Sequence, residues 1–179
     1  MPNGIFSNIK EKLILKRKFR NPDLLDCKDC ELRELATMPV LPSCGTYNIM
    51  IVGEAPGQQE NEKRKGFIHK AGDILWEELS IYNLSRDQFH VSNVNHCYPG
   101  IIKTPKIQHI EACRKWLDEE IKVLDSPLCL ALGSNTLTFF NGAGKSITRL
   151  SGTTEWNEQY QMQICWCIHP ASVLYNPNN

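Results

Sequence analysis

From residue 48 onward, short apolar runs alternate with longer stretches whose apolar side chains recur at helical spacing. The runs are Asn48 to Val52, Phe89 to Val94, Leu128 to Leu132 and Gln163 to Ile168. Each has the length of a strand. Between them, Ile74, Leu75, Leu79 and Tyr82 form one helical face, and Ile107, Ile110, Cys113, Leu117, Ile121 and Leu124 form a longer, cleaner one. Strand–helix–strand alternation predicts an α/β fold: a single-domain, three-layer α/β/α arrangement on a central four-stranded parallel sheet. Ahead of it, residues 1–23 read as a basic helix or arm, with Phe6, Ile9 and Leu13 at helical spacing among six Lys and Arg side chains from Lys10 to Arg20. A solvated helix and a phosphate-contacting arm both fit that segment. Residues 24–179 form the expected α/β domain.

Open parallel sheets bind ligands beyond the carboxyl ends of their strands. Those positions hold GEAPGQQE (Gly53 to Glu60), Asn95-His96-Cys97, Gly133-Ser134 and His169-Pro170-Ala171-Ser172. Turn-forming, polar and titratable residues therefore gather at one rim. The segment Gly142 to Ser146, GAGKS, looks like part of a phosphate-binding loop, but Phe139 stands where that motif needs its first Gly. ATP binding is rejected on that ground.

Composition narrows the class. Lys plus Arg and Asp plus Glu are 20 each, so no global basic field announces nucleic acid. No apolar run approaches the roughly 18 residues of a membrane span, and charged residues interrupt the N-terminal apolar ones. A soluble, cytoplasmic protein without a membrane partner is expected. Eight cysteines in a reducing compartment then read as metal ligands or core thiols. Cys27 and Cys30 have the spacing at which two thiolates share one metal centre. Cys97 follows a strand, and Cys113 lies on the long helix, where plain packing is the competing explanation. Cys129, Cys165 and Cys167 read as core. Residue types alone leave zinc and an iron–sulfur cluster both open, and do not exclude Cys44, Cys129, Cys165 or Cys167 as ligands.

Taken together, rim and cysteines carry a resemblance. From about Cys27 to Pro177 the chain resembles the family-4 uracil-DNA glycosylases, the iron–sulfur branch of that superfamily. GEAPGQQE is similar to the motif GEAPGxxE, KGFIHKAGDIL to PFVGxAGxLL, and SNVNHCYP to TNVVKCRPP. EACRKWL is similar to ACxPYL, LALGSNTL to an LGxTA turn, and CIHPASVL to YHPAxLL. The chain departs from the pattern at His69 (usually Gly), His96 (Lys), Tyr98 (Arg), Asn61 (Asp) and Ser151 (Arg). Ile102 stands where a related subgroup carries the His that captures uracil-DNA covalently, so covalent capture is not expected.

The resemblance implies a monofunctional glycosylase that hydrolyses the N-glycosidic bond of uracil in single- or double-stranded DNA, as in base excision repair, and acts as a monomer. It implies a structural 4Fe-4S cluster on Cys27, Cys30, Cys97 and Cys113. Phe67 becomes the platform for the everted base, Asn93 the reader of its edge, and His169 the donor to uracil O2. Glu54 is the candidate to orient a water. Gly53 and Gly57 let the backbone approach the sugar and base, Ala55 occupies the place where other branches carry an activating Asp or Asn, Glu60 crowds pyrimidine carbon 5, and Ser172 meets a phosphate. Lys63, Arg64, Lys65, Lys103, Lys106 and Arg149 are either backbone contacts or solubilising charge. Two alternatives stand beside this reading: a glycosylase for a modified pyrimidine, and a catalytically silent module that binds DNA or damaged bases.

Overall fold

The four apolar runs become strands β1 (Ile49–Gly53), β2 (His90–Asn93), β3 (Leu128–Leu132) and β5 (Met162–Cys167) in a computed structural model that describes residues 22–175. Eight helices are described: α1 (Pro22–Leu25), α2 (Leu32–Leu35), α3 (Gln58–Lys63), α4 (His69–Ser80), α5 (Ile107–Leu124), α6 (Ser134–Asn141), α7 (Ile147–Leu150) and α8 (Ala171–Tyr175). The basic segment expected over residues 1–23 lies, Pro22 and Asp23 apart, outside the described residues.

The expectation of four strands needs correction. The sheet has five, in the order β2-β1-β3-β5-β4, and β4 (Thr154–Asn157) pairs antiparallel with β5. Residues Thr154, Glu155 and Trp156 of β4 are exposed, so this edge strand shows none of the apolar signal that marked the other four. The parallel core is as expected: β1 pairs with β2 and β3, and β3 with β5.

Strand periodicity sorts side chains to two faces. Met50, Val52, Cys129, Ala131, Ile164 and Trp166 point to the side covered by α5 and α6, where Ile110, Leu117, Ile121 and Leu137 meet them. Ile51, Val91 and Leu132 point to the other side, under Leu75, Trp76 and Leu79 of α4. Cys165 and Cys167, expected in the core, are only partly buried, because Trp166 and Ile164 hold the inward register of β5. Tyr82 lies beyond α4 and is exposed, as is Ile107 at the start of α5.

One charged group breaks the apolar packing. Glu120 of α5 is buried against His90 of β2 and His96, which follows it. Glu120 Oε2 pairs with His90 Nε2 at 3.2 Å, and Oε1 stands 3.2 Å from His96 Nε2, an ion-pair distance without hydrogen-bond alignment. His96 Nδ1 reaches the Val40 carbonyl at 3.0 Å. Burial opposes charge on all three groups, but their mutual contacts outweigh it. Glu120 is held at about 2 and His90, which also bonds Cys44, is lifted to about 9. Removing one partner of such a group leaves the others buried and uncompensated. Glu120→Ala is therefore expected to cost about 3–5 kcal/mol of unfolding free energy, as measured by urea denaturation at pH 7. A loss of about 1 kcal/mol or less would place these charges in the class of weak, solvated pairs.

Candidate active site

At the carboxyl ends of the strands the register sets Gly53 of β1 opposite Asn93 of β2, and Leu132 of β3 opposite Cys167 of β5. A pocket of about 150 Å³ opens there. Ala55, Pro56 and Gly57 line it from the loop after β1, and Glu60 from α3. Phe67 and Ala71 line it from the turn into α4 and its first residues, Asn93 from the end of β2, and His169 and Ala171 from beyond β5. Of the predicted substrate and catalytic residues, Ala55, Glu60, Phe67, Asn93 and His169 thus share one pocket. Gly53 lies beneath it, while Glu54 and Ser172 flank it outside the lining.

Close contacts explain the arrangement. A Cβ on Gly53 would stand 2.4 Å from Phe67 Cζ and 2.7 Å from Asn93 Oδ1, so only glycine lets both side chains settle on the β1 backbone. Phe67 and His169 face each other nearly parallel, with ring centroids 6.0 Å apart and planes inclined by 27°. Asn93 is buried, yet its carboxamide makes no hydrogen bond among the described residues. Its amide atoms are not among the buried polar atoms left without a partner, so the carboxamide is open to the pocket that Asn93 lines.

His169 is held in one protonation state. Its Nδ1 accepts a hydrogen bond from the Ala171 backbone N–H at 3.2 Å, and burial depresses its pKa to about 4. At neutral pH the ring is therefore uncharged and carries its proton on Nε2, as a donor. Gly133, at φ +95°, leaves room beside it, since a Cβ there would lie 3.1 Å from His169 Cβ. Glu54 has its carboxyl pushed above the ordinary range by burial. Ser172 donates its backbone N–H to the His169 carbonyl at 2.8 Å, and its Oγ is buried with no partner among the described residues.

The predicted metal ligands meet on the far side of the β2 loop. Cys27, Cys30, Cys97 and Cys113 line one cavity with Leu24, Leu32 and Ala112, and all four are free thiols. Burial pushes Cys97 up to about 12 and raises Cys30 and Cys113 as well, neighbouring cysteines adding to the effect. Cys97 and Cys113 are buried and so poorly matched to thiolate unless a cation enters, and an all-sulfur donor set suits a soft metal centre. Among the described residues, no three Cys, His, Asp or Glu side chains group as ligands of a single ion.

Other singled-out residues fall into place around these two sites. Asn61 is buried and ties α3 to the N-terminal strap, residues 26–48 between α1 and β1: its Oδ1 accepts from Thr37 N at 2.8 Å and its Nδ2 donates to Thr37 Oγ1 at 3.0 Å. Lys63, Arg64, Lys65, Lys103, Lys106 and Arg149 are exposed. Sequence reasoning did not find Trp76 and Arg86, which both donate to the Phe67 carbonyl. Ala71 and Ala171 sat inside motifs already noted, KGFIHKAGDIL and HPAS, and alanines carry no chemical signal of their own.

The family model described as "Uracil DNA glycosylase superfamily" matches residues 43–179. The type-4 uracil-DNA glycosylase of Sulfurisphaera tokodaii is 33% identical over 87% of this chain and 74% of its own length. The protein of the same name from Archaeoglobus fulgidus is 29% identical over 87% of this chain and 81% of its own. That from Pyrobaculum aerophilum is 31% identical over 85% and 81%.

The His169 environment has a pH signature. Its folded pKa of about 4 lies below the ordinary 6.5, so between those values the unfolded chain binds a proton that the folded chain refuses. The His169 contribution to stability is complete above pH 6.5 and declines as pH falls towards 4. NMR titration of the imidazole is expected to find a neutral Nε2–H ring at pH 5.5. A midpoint near 6.5 would mean that water reaches the ring freely.

Proposed function

The chain belongs to the uracil DNA glycosylase superfamily, and we propose that it is a monofunctional uracil-DNA glycosylase that releases uracil from DNA and leaves an abasic site. The observation that carries this reading is the convergence of Phe67, Asn93 and His169 on one pocket. Each offers what the reaction requires. The base must leave the stack, because its glycosidic bond is inaccessible inside a duplex. Phe67 supplies a face for it, worth about 1–3 kcal/mol per base. The unpartnered Asn93 carboxamide offers an acceptor to uracil N3–H and a donor to O4. Cytosine presents the opposite pattern and would leave the amide mispaired. His169 donates from Nε2 to O2. As the bond from C1′ to N1 breaks, its electrons move onto the base, and this hydrogen bond strengthens with the developing negative charge. Water then adds to C1′ and its proton is lost, while the released base takes one up. Glu54, beside the pocket, orients that water and offsets cationic character on the sugar. Glu60, folded over Gly57, stands where the methyl group of thymine would have to fit.

The cysteine nest would hold a 4Fe-4S cluster on Cys27, Cys30, Cys97 and Cys113. When bound, the cluster supplies a structural clamp and no step of the hydrolysis. The four thiols then join the N-terminal strap, the β2 loop and α5, and so support Asn93 from behind. The protein acts as a cytoplasmic monomer on single- or double-stranded DNA, with exposed Lys and Arg side chains meeting phosphates; Ser172, whose Oγ is buried and whose N–H is taken by the His169 carbonyl, is not suited to the phosphate contact expected of it.

Incubation with uracil-, hypoxanthine- and thymine-mismatch oligonucleotides, followed by alkali, tests the activity. Strand scission is expected on uracil, and its absence there would remove the proposal. His169→Ala is expected to lower the single-turnover rate roughly 100- to 1,000-fold with little change in DNA affinity. A binding module would show the reverse. Metal analysis of the purified protein is expected to find iron, lost together with visible absorbance in Cys97→Ser; zinc in its place would overturn the cluster assignment.

A further inference from the structure

Phe67 sits in a backbone conformation that a bulky side chain avoids, with φ +49°. Something must hold it there, since the left-handed region brings its Cβ too close to neighbouring backbone. Two donors converge on its carbonyl: Trp76 Nε1 at 2.8 Å and Arg86 Nη1 at 3.2 Å. Gly72, one turn into α4, closes the third side, for a Cβ there would lie 2.2 Å from the Phe67 carbonyl oxygen. Trp76 also meets the Phe67 ring edge-on, with centroids 6.4 Å apart.

We propose that Trp76 and Arg86 are positioning residues that grip the Phe67 carbonyl and so aim its ring into the pocket; this rests on the reading of Phe67 as the base platform. With φ reversed, the carbonyl would swing away from both donors and the ring would leave its seat over Gly53. The grip is itself braced. The Arg86 guanidinium lies over the Trp76 ring at 5.2 Å, and its Nη2 donates to Ser43 Oγ at 3.3 Å. Burial lowers its pKa, and the charge of Glu60 opposes part of that effect. One guanidinium thereby links the aromatic wall and the segment leading into β1. Neither residue lines the pocket, so both act through Phe67.

Single-turnover excision of uracil by the full chain tests this. Trp76→Phe keeps the ring and removes the N–H; Arg86→Met keeps the stem and removes the fork. Each is expected to slow excision roughly 10- to 100-fold, as small misplacements of a reacting group do, with an unchanged melting temperature, and Arg86→Lys to recover part of the rate. In a Phe67→Ala background the same substitutions are expected to cost nothing more, because effects that pass through one group do not add. Additive losses, losses that follow the melting temperature, or no loss at all would overturn the proposal. Crystal structures of Trp76→Phe and Arg86→Met give a readout independent of activity. Phe67 is expected to leave its positive φ, and a ring still seated over Gly53 would refute the grip. Should the wild type excise no uracil, the glycosylase reading fails, while the Phe67 conformation in these variants still decides the positioning role.

Discussion

The close approach of Phe67 and Asn93 to the backbone of Gly53 is the contact on which the pocket depends. Neither side chain reaches its place if β1 ends in a residue with a Cβ. The β1–β2 register then makes the contact unavoidable, because it sets Asn93 directly opposite Gly53. A parallel ladder brings the two strand ends level, a missing methyl opens a slot between them, and Phe67 closes over it. His169 arrives from β5 under the same kind of permission, granted by Gly133 at the end of β3. Backbone geometry, more than side-chain attraction, shapes this cavity.

The loop after β2 serves both sites. Within five residues, Asn93 lines the pocket, Asn95 donates to the His109 carbonyl of α5 at 2.8 Å, His96 joins the buried carboxylate, and Cys97 enters the thiol nest. Extended backbone sends successive side chains to opposite sides, so one short segment can face several partners. The Glu120 network is what fixes this loop against α5. Buried ion pairs are weak stabilisers compared with apolar packing, but they penalise any other register strongly. A slip of one residue would turn His90 and His96 away from Glu120 and carry Asn93 out of the pocket.

Much of this could be read from the chain before any coordinates. The four parallel strands announced themselves as apolar runs because both faces of each are covered, and the rim followed from them. β4 was invisible because an exposed antiparallel edge needs no apolar residues. The Glu120 network was hidden for a related reason: Glu, His and Lys on a helix read as a solvated face, and only tertiary contact turns one of them inward. Cys113 illustrates the opposite case. It is buried in the apolar stripe of α5 and also lines the cavity that the other three thiols line, since the stripe runs on from the core into the nest. Phe67 was ambiguous on residue type, core or platform. It is buried like a core residue and lines the pocket, so the two readings describe one position. Arg86 and Trp76 carried no motif, because what they bond is a backbone carbonyl that any residue at position 67 would possess.

The electrostatics of the pocket run in one direction. The desolvation that pushes the Glu54 carboxyl up pulls the His169 imidazole down, so the surroundings disfavour both charges before any substrate arrives. A protonated His169 would be a stronger donor, but it would attract any anion or water in the resting state and gain less as the base became charged. A neutral donor, locked in tautomer by the Ala171 amide, interacts weakly with an uncharged pyrimidine and strongly with the anion it becomes. That difference between ground and transition state is the quantity that accelerates a reaction. The same low polarity that would suit an everted base in the proposed reaction thus also holds His169 in the neutral state that reaction calls for.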